Sequence, residues 1–210
     1  MKNFILKYNL LIYGLIVGCV VVIYEVINGG VLSPARVLVL LMMVMSILHE
    51  IEEKVWPGGF FELLGPVWGW DVKNVDFRKP GLCVTCLWLL LVLPAWIWEW
   101  KFLLTAMIIL GLFETFVHTV GGLKFCKGKY IPGIFTALLM GAVSIYCIVL
   151  LKRTGSVVGL DYLWGALTFI GVMALLQMLV QASANYSVPR MMKHMIAAIK
   201  KQDGHTMGEV

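Results

Sequence analysis

Five times in 210 residues the chain runs for roughly the thickness of a bilayer with at most two charges, a sixth run comes close with its charges gathered at its ends, and this pattern restricts its fold more than any other feature. A backbone surrounded by hydrocarbon has to satisfy its own hydrogen bonds, so runs of this length become helices. The stretches cover residues 8–27, 35–54, 82–100, 101–121, 133–151 and 162–186, the third and fourth parted only by the turn around Trp96 to Lys101. The chain is 60% hydrophobic and only 14% charged, whereas a soluble domain averages about 25% charged residues. The expected architecture is therefore all-α: a polytopic membrane bundle of about six transmembrane helices. Residues 1–186 form the single bundle domain, and residues 187–210 follow as a cytoplasmic amphipathic tail.

Met1-Lys2 before an apolar run has the look of a signal peptide, and Ile16-Val17-Gly18-Cys19 that of a lipoprotein cleavage box. The apolar run continues through Val20 to Ile23, so a retained first helix is expected instead. Alternate sides of six spans receive very different numbers of basic residues. Arg36, Lys101, Lys152 and Arg153 fall on one side, and the other 13 fall on the side of both termini. Cytoplasmic loops carry such an excess, which places both termini in the cytoplasm, with the plasma (inner) membrane as the expected location. Topology and anionic lipid account for the net charge of +5; no nucleic-acid-binding motif is present, and no nucleic-acid partner is expected. Of the five cysteines (Cys19, Cys83, Cys86, Cys126 and Cys147), three fall on the expected cytoplasmic side, where thiols stay reduced. Cys83 and Cys86 have metal-ligand spacing, but at a helix start they read more simply as packing residues.

The second span starts at Ser33-Pro34, a cap followed by proline in the first turn. It ends with His49-Glu50-Ile51-Glu52-Glu53-Lys54, just before Pro57-Gly58-Gly59. On a helical wheel His49, Glu52 and Glu53 share an arc of about 100°, and Glu50 lies outside it. The carboxyl end of a helix is already partly negative and three glutamates repel one another, so positive charge must sit against that face. The fourth span supplies Glu114 and His118 one turn apart, with Glu114 inside the membrane, where ionisable residues are costly and usually functional. At the helical rise per residue, His49 and His118 each sit roughly 5–8 Å inside the same end of the bundle. Two imidazoles and several carboxylates thus share one depth. His49, Glu52, Glu53, Glu114 and His118 are the expected ligands of a divalent metal (iron, zinc or manganese; one or two ions). Glu53 and Glu114 are candidate catalytic residues, and Tyr130, entering at the same level, can orient a carboxylate or donate a proton.

Gln177, Gln181 and Asn185 recur every four residues on the sixth span, a stripe suited to interhelical hydrogen bonds. The segment from Pro57 to Pro80 carries Phe60, Phe61, Trp68, Trp70 and Phe77, too aromatic for a plain linker, and reads as an interfacial lid. Beyond Pro189, Met191, Met192, Met195, Ile196 and Ile199 share one face flanked by basic residues, as in a helix lying on anionic lipid. His194 and His205 belong to this tail and are not expected to be ligands. Trp96, Trp98 and Trp100 are expected at the outer interface, with Glu99 an exposed turn residue.

His49-x-x-Glu52-Glu53 at a membrane helix end resembles the motif of the HXXEE-domain membrane proteins. His118 followed by Tyr130-Ile-Pro132-Gly133-Ile-Phe-Thr136 is similar to that family's second block, so the resemblance spans roughly residues 33–150. It departs at Glu114, where the family pattern has asparagine. The resemblance implies a site and a suspected enzymatic activity, without a general substrate.

Three functions compete. The leading one is a membrane metalloenzyme, hydrolase or oxygenase, acting on a lipidic or other hydrophobic small molecule near the cytoplasmic leaflet. The second is a metal-free isomerase or cyclase, in which a buried glutamate donates a proton to a hydrophobic substrate. The third is a cation carrier or sensor, although such sites usually lie nearer the bilayer midplane.

Overall fold

A computed structural model describes residues 2–30, 32–122 and 130–206. Its order is α1 (Lys2–Ile27), α2 (Pro34–Lys54), α3 (Phe60–Trp68), α4 (Arg78–Trp98), α5 (Lys101–Phe116, continued by a π-helical turn Val117–Gly121), α6 (Ile134–Arg153), α7 (Gly159–Ser183) and α8 (Val188–Thr206). Among the described residues there is no strand. Six of the helices (α1, α2, α4, α5, α6 and α7) are long and apolar enough to cross a membrane, as the hydropathy runs require. Their bounds fall within a few residues of those read from sequence, and α2 is capped as expected, with Ser33 Oγ accepting from the Arg36 N–H at 3.2 Å.

The helices meet over an apolar core in which Met42, Leu91, Val92, Trp96, Leu104, Met107 and Met140 are almost fully buried. Close approach between α5 and α6 depends on a small residue: a Cβ on Gly141 would run into the Thr115 side chain. Thr115 bridges the two helices, its hydroxyl lying 2.9 Å from the Gly111 carbonyl and 2.6 Å from the Ala137 carbonyl. This seam fixes the amino end of α6 against the last turn of α5, where the site forms.

Two sequence expectations change at the opposite end. Trp98 and Trp100 are exposed as expected, but Trp96 is fully buried. Glu99 is more than an exposed turn residue. It takes a left-handed backbone conformation (φ 50°), pairs with Arg36 at 3.1 Å and accepts from Ser33 Oγ at 2.9 Å. The reason is proximity: Arg36, in the first turn of α2, also donates to the Trp96 carbonyl at 3.2 Å. That polar knot ties α2 to the α4–α5 turn.

The Pro57–Pro80 segment is ordered rather than a simple flap. It contains α3, and Phe61, Trp70 and Phe77 stack (Phe61–Phe77 centroids 6.2 Å, 7° between planes) over Leu87, Leu176 and Val180. Trp70 Nε1, in the loop after α3, donates to the buried Gln181 Oε1 at 2.8 Å, so this member of the polar stripe bonds a loop rather than a neighbouring helix. Cys83 and Cys86 are free thiols, and Cys126 lies outside the described residues.

Candidate functional site

The last turn of α2 presents His49 and Glu53 on one side, four residues and therefore about one turn apart. Opposite them, the end of α5 presents Glu114 and His118, also four apart. His118 lies in the π-helical turn, a local widening often found at functional sites. The two imidazoles meet edge to face with centroids 4.9 Å apart. Glu53 Oε1 sits between them, 3.4 Å from His49 Nε2 and 3.0 Å from His118 Nε2. Glu114 Oε2 lies 3.8 Å from His49 Nε2 and 3.7 Å from His118 Nε2. One ligand atom each from His49, Glu114 and His118 lies within 4.8 Å of the others. Four of the five residues expected to share a site therefore do share one.

Glu52 is the exception, and here the sequence expectation is corrected. Its carboxylate turns to the start of α6. It accepts from the backbone N–H of Phe135 at 3.2 Å and of Thr136 at 2.7 Å, from the Thr136 hydroxyl and from Tyr130 Oη at 2.6 Å. Free N–H groups and the positive end of the helix dipole make a helix start a natural seat for a carboxylate. A helical wheel of α2 cannot reveal such a seat on another helix. Tyr130 accordingly acts on Glu52 rather than at the imidazoles. Partial burial and the adjacent carboxylate push its phenol up to about 12, so it stays a neutral donor at physiological pH.

Sequence reading gave Thr136 no role, yet it connects the two glutamates' territories. Its oxygen is 3.0 Å from His49 Nδ1. The single hydroxyl proton of Thr136 faces only acceptors, Glu52 and the Gly133 carbonyl, so the Thr136 oxygen must accept from His49 Nδ1–H. That network assigns the tautomer: neutral His49 keeps a bare lone pair on Nε2. This nitrogen is buried without a hydrogen bond and faces two carboxylates. A lone pair held against anions is repulsive, so the arrangement calls for a cation at its centre, a proton or a metal ion.

Gly133 closes the floor. Its φ is +96°, and a Cβ there would lie 2.6 Å from the His118 ring, 2.9 Å from Glu53 and 3.0 Å from the His49 ring. Phe60 from α3 stacks on His118, with centroids 5.2 Å apart. The signal for Gly133 was present in the Pro-Gly pair at the start of a helix, whereas nothing in the sequence singled out Phe60 from its aromatic neighbours.

Glu50, set aside by the helical wheel, is buried as well. It is paired with Lys54, which also donates to the Gly81 carbonyl at 3.0 Å. The site opens on a cavity of about 300 Å³ walled by Phe60, Leu64, Trp68, Leu110, Phe113 and Met173, with Met191, Met192 and Met195 of α8 on one side. Gln177 lines it too, its buried Oε1 unpartnered among the described residues. The tail helix is thus part of the cavity wall. His194 packs beside Tyr186; the His205 side chain lies outside the described residues.

The family whose members are described as proteins of unknown function with an HXXEE motif matches residues 40–148, half of the chain. The chain belongs to the HXXEE family. In this HXXEE chain the named motif is split by the structure: its histidine and second glutamate face α5, and its first glutamate anchors α6. No curated protein and no solved structure matches the chain.

Proposed function

We propose that this HXXEE chain is an integral membrane enzyme that uses a divalent metal ion, held by His49, Glu53, Glu114 and His118, to act on a lipidic or hydrophobic substrate. The observation carrying this reading is the convergence of His49, Glu114 and His118 at the mouth of an apolar cavity, with Glu53 Oε1 3.4 Å and 3.0 Å from the two imidazoles. An ion with bonds of about 2.0–2.2 Å in a tetrahedral site needs donors roughly 3.3–3.6 Å apart. The separations of 3.0, 3.4, 3.7 and 3.8 Å straddle that range. Two imidazoles with two carboxylates suit iron, manganese or zinc. With Glu52 committed to α6, the donor set favours one ion over two.

When bound, such an ion polarises a carbonyl or phosphoryl oxygen or lowers the pKa of water. The chain's own residues do the rest. Thr136 orients His49, Phe60 and Gly133 fix the His118 ring, and Glu114, partly exposed to the cavity, is placed to take or give a proton. The apolar walls hold the hydrocarbon part of the substrate and exclude water. Basic residues concentrated at this end of the bundle support its assignment to the cytoplasmic leaflet.

The test is metal analysis of purified protein reconstituted with iron, manganese or zinc. Stoichiometric metal is expected in the wild type and its loss in His49→Ala and His118→Ala. Wild-type protein that retains none would refute the reading. A proton can occupy the same centre, so full activity after chelation would favour the metal-free acid–base alternative.

A further inference from the structure

A second cavity, about 950 Å³ in volume, lies between α1 and α2 and shares only Glu53 with the proposed ligand set. It exists because α1 leans on α4 and touches α2 only lightly. Its inner walls are hydrocarbon: Leu11, Gly14 and Leu15 on α1 face Ile47 and Ile51 on α2. Leu11 and Leu15 are 60% and 58% exposed, so this part of the cleft opens sideways from the helix bundle. Its polar residues gather at the end nearest the chain's amino terminus, where Lys7, Asn9, Lys54, Glu62, Asp76 and Arg78 line the mouth.

The charges at that mouth are not equivalent. Arg78 is held by Asp76 at 2.7 Å, and Lys54 by Glu50 and the Gly81 carbonyl. Lys7 and Glu62 have no ion-pair partner among the described residues; the Lys7 ammonium rests 5.1 Å from the Tyr8 ring. Tyr8 itself breaks the helical geometry of α1 (φ −114°, ψ 21°) at the same level. A cleft that is apolar at bilayer depth, open to the side, and topped by an uncommitted ammonium matches an acyl chain ending in a phosphate. We propose that the α1–α2 cleft binds one glycerophospholipid, with an acyl chain along Leu11, Leu15, Ile47 and Ile51 and its phosphate at Lys7. Glu53 and Phe61 line both cavities, so the bound lipid would lie directly beside the His/Glu site.

The experiment is native mass spectrometry of the full chain in detergent, titrated with phosphatidylglycerol, phosphatidylethanolamine or diacylglycerol. One retained phospholipid is expected, with at least tenfold weaker retention of diacylglycerol, which lacks the phosphate. Gly14→Trp should abolish retention by filling the cleft. Nothing lies within 4 Å of a Cβ at Gly14, so the backbone there accepts a side chain. Lys7→Gln should lower phospholipid retention to the diacylglycerol level, and it serves as the test should Gly14→Trp not fold. Equal retention of phospholipid and diacylglycerol, or phospholipid retention unchanged in folded Gly14→Trp or in Lys7→Gln, would overturn the proposal. His49→Ala should retain lipid as the wild type does, so loss of the metal reading leaves this result intact.

Discussion

At the scale of single residues, the site depends on groups that never touch the proposed ion. Thr136 is the clearest case, because its hydroxyl donates a hydrogen bond to Glu52 and thereby decides which nitrogen of His49 is bare. Thr136→Val should weaken metal binding by about 10–100-fold, the usual cost of losing a hydrogen bond to a ligand. Thr136→Ser should restore it, as read by competition with a metal-sensitive dye. Gly133→Ala forces a methyl into the space between two imidazoles, in a backbone conformation that side chains avoid. It should cost about 1–3 kcal/mol in thermal unfolding and reduce metal occupancy at the same time. Glu52→Gln is expected to behave differently. It weakens the anchor on α6, lowering the melting temperature, while leaving metal stoichiometry in the folded protein near that of the wild type.

At the scale of elements, the spans were legible because hydrocarbon permits few alternatives, and a run such as 133–151 without a single charge declares itself. The short α3 was not legible: nine residues beginning after Gly59 and containing Pro66 carry weak helical preference and are held by packing. The pairing of His49 with Glu53 and of Glu114 with His118 followed from helical spacing within one element. The destination of Glu52 did not, since it depends on which helix start the fold brings alongside. Glu50, which the helical wheel left outside the shared arc, stays outside the cluster and pairs with Lys54 four residues later. The α8 helix makes a separate prediction. It rests chiefly on α3 and the end of α7, so deleting residues 188–210 should raise amide hydrogen exchange throughout α3 and leave exchange in α2 and α5 unchanged.

For the molecule as a whole, six crossings would put the two termini on the same face of the membrane. Reporter fusions at the amino terminus and after Thr206 should both report the cytoplasm, and one after Arg153 the opposite side. The charged end of the bundle then gathers the His/Glu site, the aromatic α3 segment and α8, while the other end is closed by Arg36, Glu99 and the α4–α5 turn. Every ionisable side chain proposed to do chemistry lies within a turn or two of one surface.

The methionines that α8 contributes have a practical corollary. Thioether side chains are flexible and adapt to differently shaped hydrocarbon, yet oxidants turn them polar. Peroxide that converts Met191, Met192 and Met195 to sulfoxides would wet the chamber from its tail side without altering a single ligand. Preparations that have aged in detergent containing peroxides should therefore lose affinity for apolar compounds before they lose the proposed metal.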